Sequence, residues 1–139
     1  MKLLSSLVLS ALLCAPLAAQ ACSDLSVSGG SPGTNLDFAL TGAPANAPSL
    51  LVIGTTLGST TINLGPVSFD LGLASPFFGL PLGMTDGNGS AGLSIPMPTQ
   101  GIPGLDLNAQ AVTIGFTIGR GMPTLSVCTS DVESFHIGA

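Results

Sequence analysis

The sequence predicts an all-β fold in which antiparallel strands form a sandwich. Apolar residues alternate with small or polar residues along most of the chain, and this period of two is typical of half-buried strands. No window of about eleven residues carries the apolar stripe of an amphipathic helix. Turn-forming residues recur roughly every 8 to 12 positions, which favours an immunoglobulin-like or fibronectin-III-like β-sandwich of about seven to nine strands.

The positions of the alternating apolar residues predict the individual strands in chain order. Glycine-rich polar clusters at residues 29–33 and 85–90 predict turns, and residues 101–104 predict a connector. The continuous apolar run Leu50–Ile53 is typical of a central strand covered on both faces or at its ends. Alternating apolar residues mark the other strands: Leu25 and Val27; Leu36, Phe38 and Leu40; Ile62 and Leu64; Val67, Phe69, Leu71 and Leu73; Ala91, Leu93, Ile95 and Met97; the single run of Leu107, Ala109, Ala111, Val112, Ile114, Phe116 and Ile118; Leu125 and Val127; and Phe135 and Ile137.

The alternation fails at two places. Residues 74–83 are apolar but contain Pro76 and Pro81, which disfavour regular pairing, so we expect a loop that packs over one end of the core. Near Ala111 the apolar phase shifts by one residue, to Val112 and the positions that alternate with it. Such a slip predicts a bulge or a break between two strands.

The adjacent rings of Phe77 and Phe78 allow two interpretations. Either they cap the core, or they form an exposed apolar patch that docks a partner or another copy of the chain. A chain with few charges has little to keep its sheet edges apart. On the second interpretation, residues 74–83 form an interaction surface for a protein partner or for self-association.

The N-terminal residues have the pattern of a secretory signal peptide. Lys2 precedes an apolar run from Leu3 to Leu17, and Ala19 and Ala21 place small residues at −3 and −1 before Cys22. Signal peptidase requires these features, and the apolar run is too short and wrongly flanked for a membrane anchor. We therefore expect cleavage before Cys22.

Cleavage there divides the chain into two parts. We expect residues 1–21 to be the signal peptide and residues 22–139 to be a single β-sandwich domain, of a length that buries one core. The mature chain is expected to have no transmembrane segment. Its expected location is outside the cell or in the cell envelope, in the periplasm or at the cell surface.

Two cysteines remain after this cleavage, because Cys14 lies in the apolar run of the signal peptide. An even pair in an oxidising compartment predicts a disulfide between Cys22 and Cys128. The alternative is lipidation of Cys22, since lipoprotein signals also place cysteine directly after the cleavage point. Ala19 and Gln20 fit such a signal poorly.

The charge balance excludes some partners. The sequence has seven acidic residues and two cations, and of the cations only Arg120 lies beyond residue 21. A single cation cannot neutralise a series of phosphates, so nucleic acid and anionic membrane surfaces are excluded as partners. The acidity serves mainly for solubility.

The residues that could carry chemistry are few. His136, with Ser134 and Asp131, could be imagined as a catalytic triad, but nothing marks an oxyanion hole, and we expect a surface histidine and no enzyme.

Asp86–Ser90 places oxygen ligands at alternate positions, as in the front half of a calcium loop. No acidic residue follows until Asp106, so a hairpin turn explains the segment better than a calcium site. One histidine and two paired cysteines are too few for zinc, and we expect no cofactor.

Four segments resemble small secreted bacterial β-sandwich modules of uncharacterised function. Such modules occur alone behind a signal peptide or as the C-terminal tail of large exported proteins. The resemblance implies the sandwich fold and an extracellular location only, and Asn108 departs from the tyrosine that the family often has. The segments are Leu25–Gly54, Gly83–Pro98, Leu105–Ile114 and Thr129–Gly138.

Taken together, these features favour a non-catalytic structural or interaction module of the cell envelope or exterior. The alternative is a ligand-binding module for glycan or calcium on a β-sandwich. The chain has no tryptophan or tyrosine on which a sugar could stack, which disfavours glycan binding without excluding recognition by polar loops.

Overall fold

A computed structural model describes residues 22–65, 67–119 and 121–139. The signal peptide assigned to residues 1–21 and Arg120, the one cation beyond residue 21, lie outside the described residues, so the signal peptide stays a prediction. In the described part of the chain, no helix has the length and hydropathy that crossing a membrane requires.

The described residues form an all-β fold of two packed sheets, which confirms the predicted sandwich. Every pairing between two of the eight strands is antiparallel. The strands are β1 (Asp24–Gly29), β2 (Asn35–Thr41), β3 (Pro48–Leu64), β4 (Val67–Met84), β5 (Ala91–Pro96), β6 (Leu105–Gly119), β7 (Met122–Thr129) and β8 (Glu133–Ile137).

The strand order has the connectivity of an immunoglobulin-like sandwich. One sheet has the order β1-β2-β5, and the five-stranded sheet has the order β4-β3-β6-β7, with β8 also paired to β6. Thus β1, β2 and β5 correspond to strands A, B and E, while β4, β3 and β6 correspond to C′, C and F. Two strands together take the place of strand G beside β6. β8 pairs with Leu105–Ala109 of β6, and β7 pairs with Val112–Gly119.

The first core lies between the two sheets. Alternate residues of β2 are buried, and its Phe38 ring meets Phe135 of β8 edge to face at a centroid distance of 5.5 Å. Such aromatic pairs stabilise a core by about 1 kcal/mol beyond the area they bury. The buried residues of this core are Leu25, Leu36, Phe38, Leu40, Ala43, Leu51, Ile53, Leu82, Ala109 and Ala111.

A second core covers the opposite face of the five-stranded sheet. Its buried members are Val52 of β3, Val112 of β6, and Leu71 and Leu73 of β4. Ile62 packs against the same cluster although it lies ten residues after Val52 on the same strand. A straight strand of that length spans about 33 Å. The β3–β4 hairpin therefore folds back, and its distal part lies over the outer face of the sheet.

The bend in the hairpin has a local cause. The β3–β4 register shifts between Gly54 and Thr56 and again between Leu57 and Thr60. Bulges of this kind increase twist and bend a strand. Gly58 lies inside the bend, where an added Cβ would come within 2.7 Å of the Ala74 Cβ, so the two strands can approach this closely only without a side chain.

A buried amide attaches the distal hairpin to the sheet. The side chain of Gln110 on β6 accepts a hydrogen bond from the Gly72 N–H at 2.8 Å and donates one to the Ser130 carbonyl at 2.8 Å. A Cβ on Gly72 would lie 2.6 Å from a methyl of Val132. The absence of a side chain at Gly72 thus lets the hairpin lie flat against the sheet.

The predicted loop at residues 74–83 is wrong, because this segment is the second half of β4 and pairs with β3. β4 is an edge strand of the five-stranded sheet. Only one side of an edge strand needs hydrogen-bond partners, so Pro76 and Pro81 are tolerated there.

The predicted bulge or break near Ala111 is also wrong, because β6 runs without interruption from Leu105 to Gly119. The apolar phase changes because the covering layer changes. Ala109 and Ala111 face the first core, whereas Val112 faces the second core on the other side of the sheet. A strand covered on both faces has no single apolar phase.

The disulfide between Cys22 and Cys128 is confirmed, with the two Cα atoms 5.3 Å apart. Next to it, the Cys22 N–H donates to the Thr129 carbonyl at 2.9 Å, and Ser23 forms a parallel bridge with Ser130. The alternative of lipidation needs the same Cys22 sulfur and does not describe this structure. The disulfide joins the segment just before β1, a strand of the three-stranded sheet, to the end of β7.

Reduction of this disulfide should lower the free energy of unfolding by about 4.7 kcal/mol, because the disulfide closes a loop on the order of 100 residues in the unfolded chain. Urea unfolding of the oxidised and reduced forms of residues 22–139 measures the difference. The reduced protein keeps both sulfur atoms, so the comparison measures the effect of the crosslink alone. A Cys22→Ala, Cys128→Ala variant would also remove the packing of the buried Cys128 side chain. Equal stability of the oxidised and reduced forms would contradict this expectation.

Candidate functional site

The rings of Phe77 and Phe78 point to opposite faces of β4. Phe77 is opposite Gly54, is partly buried, and packs against the second core. Phe78 is opposite Ile53 and remains 54% exposed. Each of the two interpretations drawn from the sequence therefore describes one ring: Phe77 belongs to a core, and Phe78 lies on the surface.

A shallow groove of about 340 Å³ lies beside Phe78, at one end of the sandwich. The register shift after Gly54 opens the space, and the absence of a side chain at Gly54 lets Phe77 approach, since an added Cβ would lie 3.3 Å from the Phe77 Cβ. Among the described residues, no ionisable side chain lines the groove. Its lining consists of Ile53, Gly54, Thr55, Pro76, Phe77, Phe78 and Leu107.

The groove can accept an apolar side chain but cannot perform acid–base chemistry with its own residues. Its position on an edge strand adds a second property, since one side of β4 has no strand partner in the described residues. Pro76 and Pro81 remove backbone donors from this strand, which disfavours the addition of a partner strand across the whole edge. The side chains around Phe78 are therefore the natural points of contact.

The residues considered for a catalytic triad are not assembled into one. His136 Nδ1 lies 2.7 Å from Asp106 Oδ1, and its Nε2 lies 3.3 Å from the Ala139 carbonyl oxygen. The Ser134 hydroxyl donates to Asn108 Oδ1 at 2.6 Å, and Asp131 accepts from the Leu25 N–H at 3.2 Å. Each side chain thus serves a cross-strand or inter-sheet contact.

The pKa of His136 is raised above its ordinary value of 6.5, first by the hydrogen bond to Asp106 and then by the Ala139 carbonyl. Asp106 lies directly opposite His136 in the β6–β8 register. Both side chains are exposed, with 51% of the His136 side chain accessible to solvent. The pair is an exposed cross-strand contact that strengthens when the imidazole is protonated.

Asp86 is engaged by its own turn. One carboxylate oxygen, Oδ1, accepts hydrogen bonds from the Asn88 N–H at 2.8 Å and the Ser90 N–H at 2.9 Å. The bond from Ser90, followed by that from Asn88, lowers the pKa of Asp86. This geometry is that of an Asx-stabilised turn. Among the residues that the structure describes, no group of three or more His, Cys, Asp or Glu side chains could hold a metal ion.

Sequence reasoning missed the groove and a pair of acidic residues. Burial, followed by the neighbouring Asp131 carboxylate, raises the pKa of Glu133. The signal for this pair was the spacing of Asp131 and Glu133, which are two positions apart, because alternate residues of an extended chain point to the same side. The groove had no such signal, because it arises from a register shift between β3 and β4 and not from a motif.

Comparison of the chain with protein-family models, with curated proteins and with solved structures finds no match in any of the three. The structure alone therefore identifies the chain at the level of an all-β module with two packed sheets and one disulfide.

The hydrogen bond between His136 and Asp106 should make the free energy of unfolding depend on pH. Because the folded pKa of His136 is raised, its contribution is fully present below the unfolded pKa of 6.5 and is lost as the pH rises through the folded pKa. NMR titration of His136 should give a lower pKa in Asp106→Asn than in the wild type. Asp37→Asn, on the exposed side of β2, is the matched control and should leave this pKa unchanged. An unchanged pKa in Asp106→Asn would contradict the expected pairing.

Proposed function

We propose that the chain is a non-catalytic interaction module that is secreted or held in the cell envelope. The signal-peptide pattern at residues 1–21 supports export, and a disulfide supports an oxidising compartment. Membership of the small secreted bacterial β-sandwich modules, which the sequence resembles, belongs to the same proposal. The two-sheet fold is consistent with it.

The observation that carries the proposal is the exposed Phe78 ring beside an apolar groove on an edge strand. An aromatic ring held in solvent at 54% exposure has no role in either core of the described structure. Burying such a ring against a partner stabilises a complex by about 2 kcal/mol. Aromatic anchors of this kind are enriched at the energetic centre of protein interfaces.

One ring is not enough for a stable complex. Specific interfaces generally bury at least about 1,000 Å² in total. We infer that the contact extends from Phe78 over the groove beside it, which Ile53, Pro76 and Leu107 also line. In a self-associated dimer, the Phe78 surfaces of the two copies would pack against each other around a two-fold axis.

The alternative is a ligand-binding module for calcium or glycan, and we rank it second. One carboxylate oxygen of Asp86 already accepts two backbone hydrogen bonds in its turn. The exposed aromatic residues are phenylalanines, which cannot combine stacking on a sugar with a hydrogen bond to it. No contact in the described residues favours a glycan or calcium site over the Phe78 surface.

Sedimentation velocity tests the self-association branch of this proposal. Phe78→Ser should weaken dimerisation by about tenfold or more, in proportion to the apolar area that the ring buries. Phe116→Ser is the matched control, because Phe116 is a ring on β6 with 61% exposure, away from the groove. Phe77→Ser should lower the melting temperature instead, because that ring packs on the second core.

Equal weakening by Phe78→Ser and Phe116→Ser would contradict a contact through the groove. A wild type that stays monomeric at millimolar concentration would remove self-association. In that case, envelope proteins of the producing cell should be retained by immobilised wild type and by Phe116→Ser, but not by Phe78→Ser. Equal retention by all three proteins would overturn the proposed contact surface.

A further inference from the structure

A second cavity, of about 200 Å³, lies between the folded-back hairpin and the outer face of the five-stranded sheet. Val52 and Val112 form its floor on the sheet, while Ile62, Leu64 and Phe69 belong to the hairpin. All of its lining residues are apolar: Leu50, Val52, Ile62, Leu64, Phe69, Leu71, Phe77, Val112 and Ile114. It is separate from the groove beside Phe78, although Phe77 borders both.

This cavity does not suit water. A buried water molecule needs two to four polar partners, and the side chains that line the cavity supply none. Engineered cavities of about 150 Å³ lined by leucine, isoleucine and phenylalanine stay dry and take up benzene. The cavity under the hairpin has the same kind of lining and is somewhat larger.

The surroundings also exclude a charged ligand. Asp70 is the only charged residue between positions 55 and 84, and it lies between Phe69 and Leu71, whose side chains turn to the cavity. Alternation along the strand places Asp70 on the opposite face, where its Oδ1 accepts a hydrogen bond from the Thr61 hydroxyl at 2.6 Å. No carboxylate therefore faces the cavity from the hairpin.

The sheet side of the cavity is equally free of charge. The neighbouring polar side chain on this face of β6 is Gln110, and both ends of its amide are already bonded, to Gly72 and to Ser130. The side chain of Leu50, at the rim, is 43% exposed, so the cavity opens to solvent beside an apolar residue. An occupant meets apolar surface at the entrance and throughout the interior.

We propose that this cavity is a binding site for a small uncharged hydrocarbon, of the size of benzene or somewhat larger. The ligand replaces the dispersion contacts that the lining side chains lack when the space is empty. It stabilises the folded-back hairpin by linking Leu64 and Phe69 to Val112 and Ile114 across the gap. The proposal is independent of the contact through Phe78, which does not line this cavity.

Methyl NMR titration of residues 22–139 with benzene tests the proposal. Saturable shifts are expected for the methyl groups of Leu64, Leu71, Val112 and Ile114 and not for those of the first core. Phenol should bind at least about tenfold more weakly than benzene, because its buried hydroxyl would have no hydrogen-bond partner. The absence of saturable shifts up to the solubility limit of benzene would overturn the proposal.

Variants that fill the cavity provide the second arm. Leu64→Phe places a ring inside and should abolish the benzene shifts, whereas Asn63→Phe places the same ring on the exposed side of the hairpin and should retain them. Ile114→Phe fills the space from the sheet side and serves if Leu64→Phe does not fold. Unchanged benzene binding in a folded filling variant would contradict the assignment, as would shifts centred on Ile53 and Leu107 at the Phe78 groove.

Discussion

The structure depends on the burial of the β3–β6 pair on both faces. Residues Ser49–Gly54 of β3 pair with Asn108–Thr113 of β6 at the centre of the larger sheet. Leu51 and its neighbours face the three-stranded sheet, while the alternate residues face the returning hairpin. If either cover were removed, the central pair would expose a row of aliphatic side chains to water, at a cost of about 25 cal/mol for each Å².

The same constraint explains where the surface features fall. The hairpin that covers the outer face must bend, and its bend requires the register shifts after Gly54 and Leu57. Those shifts open the groove beside Phe78, and the imperfect fit of the hairpin on the sheet leaves the apolar cavity beneath it. Both candidate sites are thus consequences of how the second core is built. The Cys22–Cys128 disulfide joins the segment just before β1 to the end of β7.

Local patterns in the sequence predicted the strands and the disulfide, because alternation and cysteine parity are properties of short segments and of composition. They could not predict the return of the hairpin, since a period of two shows that a strand has two faces but not which layer covers each face. At Val112 this ambiguity produced the wrong expectation of a break. At Pro76 and Pro81 the tolerance of an edge strand for proline was not visible without the strand order. Phe77 and Phe78 were treated as one patch, although neighbours on a strand must point to opposite faces. The location of the protein and its partner stay proposals.

The central claim is that the distal hairpin lies on the outer face of the sheet, and proton–proton distances between methyl groups test it most directly. Nuclear Overhauser effects between methyls of Ile62 or Leu71 on the hairpin and methyls of Val52 or Val112 on the sheet are predicted, because these side chains share one core. Effects between Leu40 and Leu51 across the first core provide the internal reference. Strong reference contacts with no contacts between hairpin and sheet would show an extended hairpin and would contradict the account.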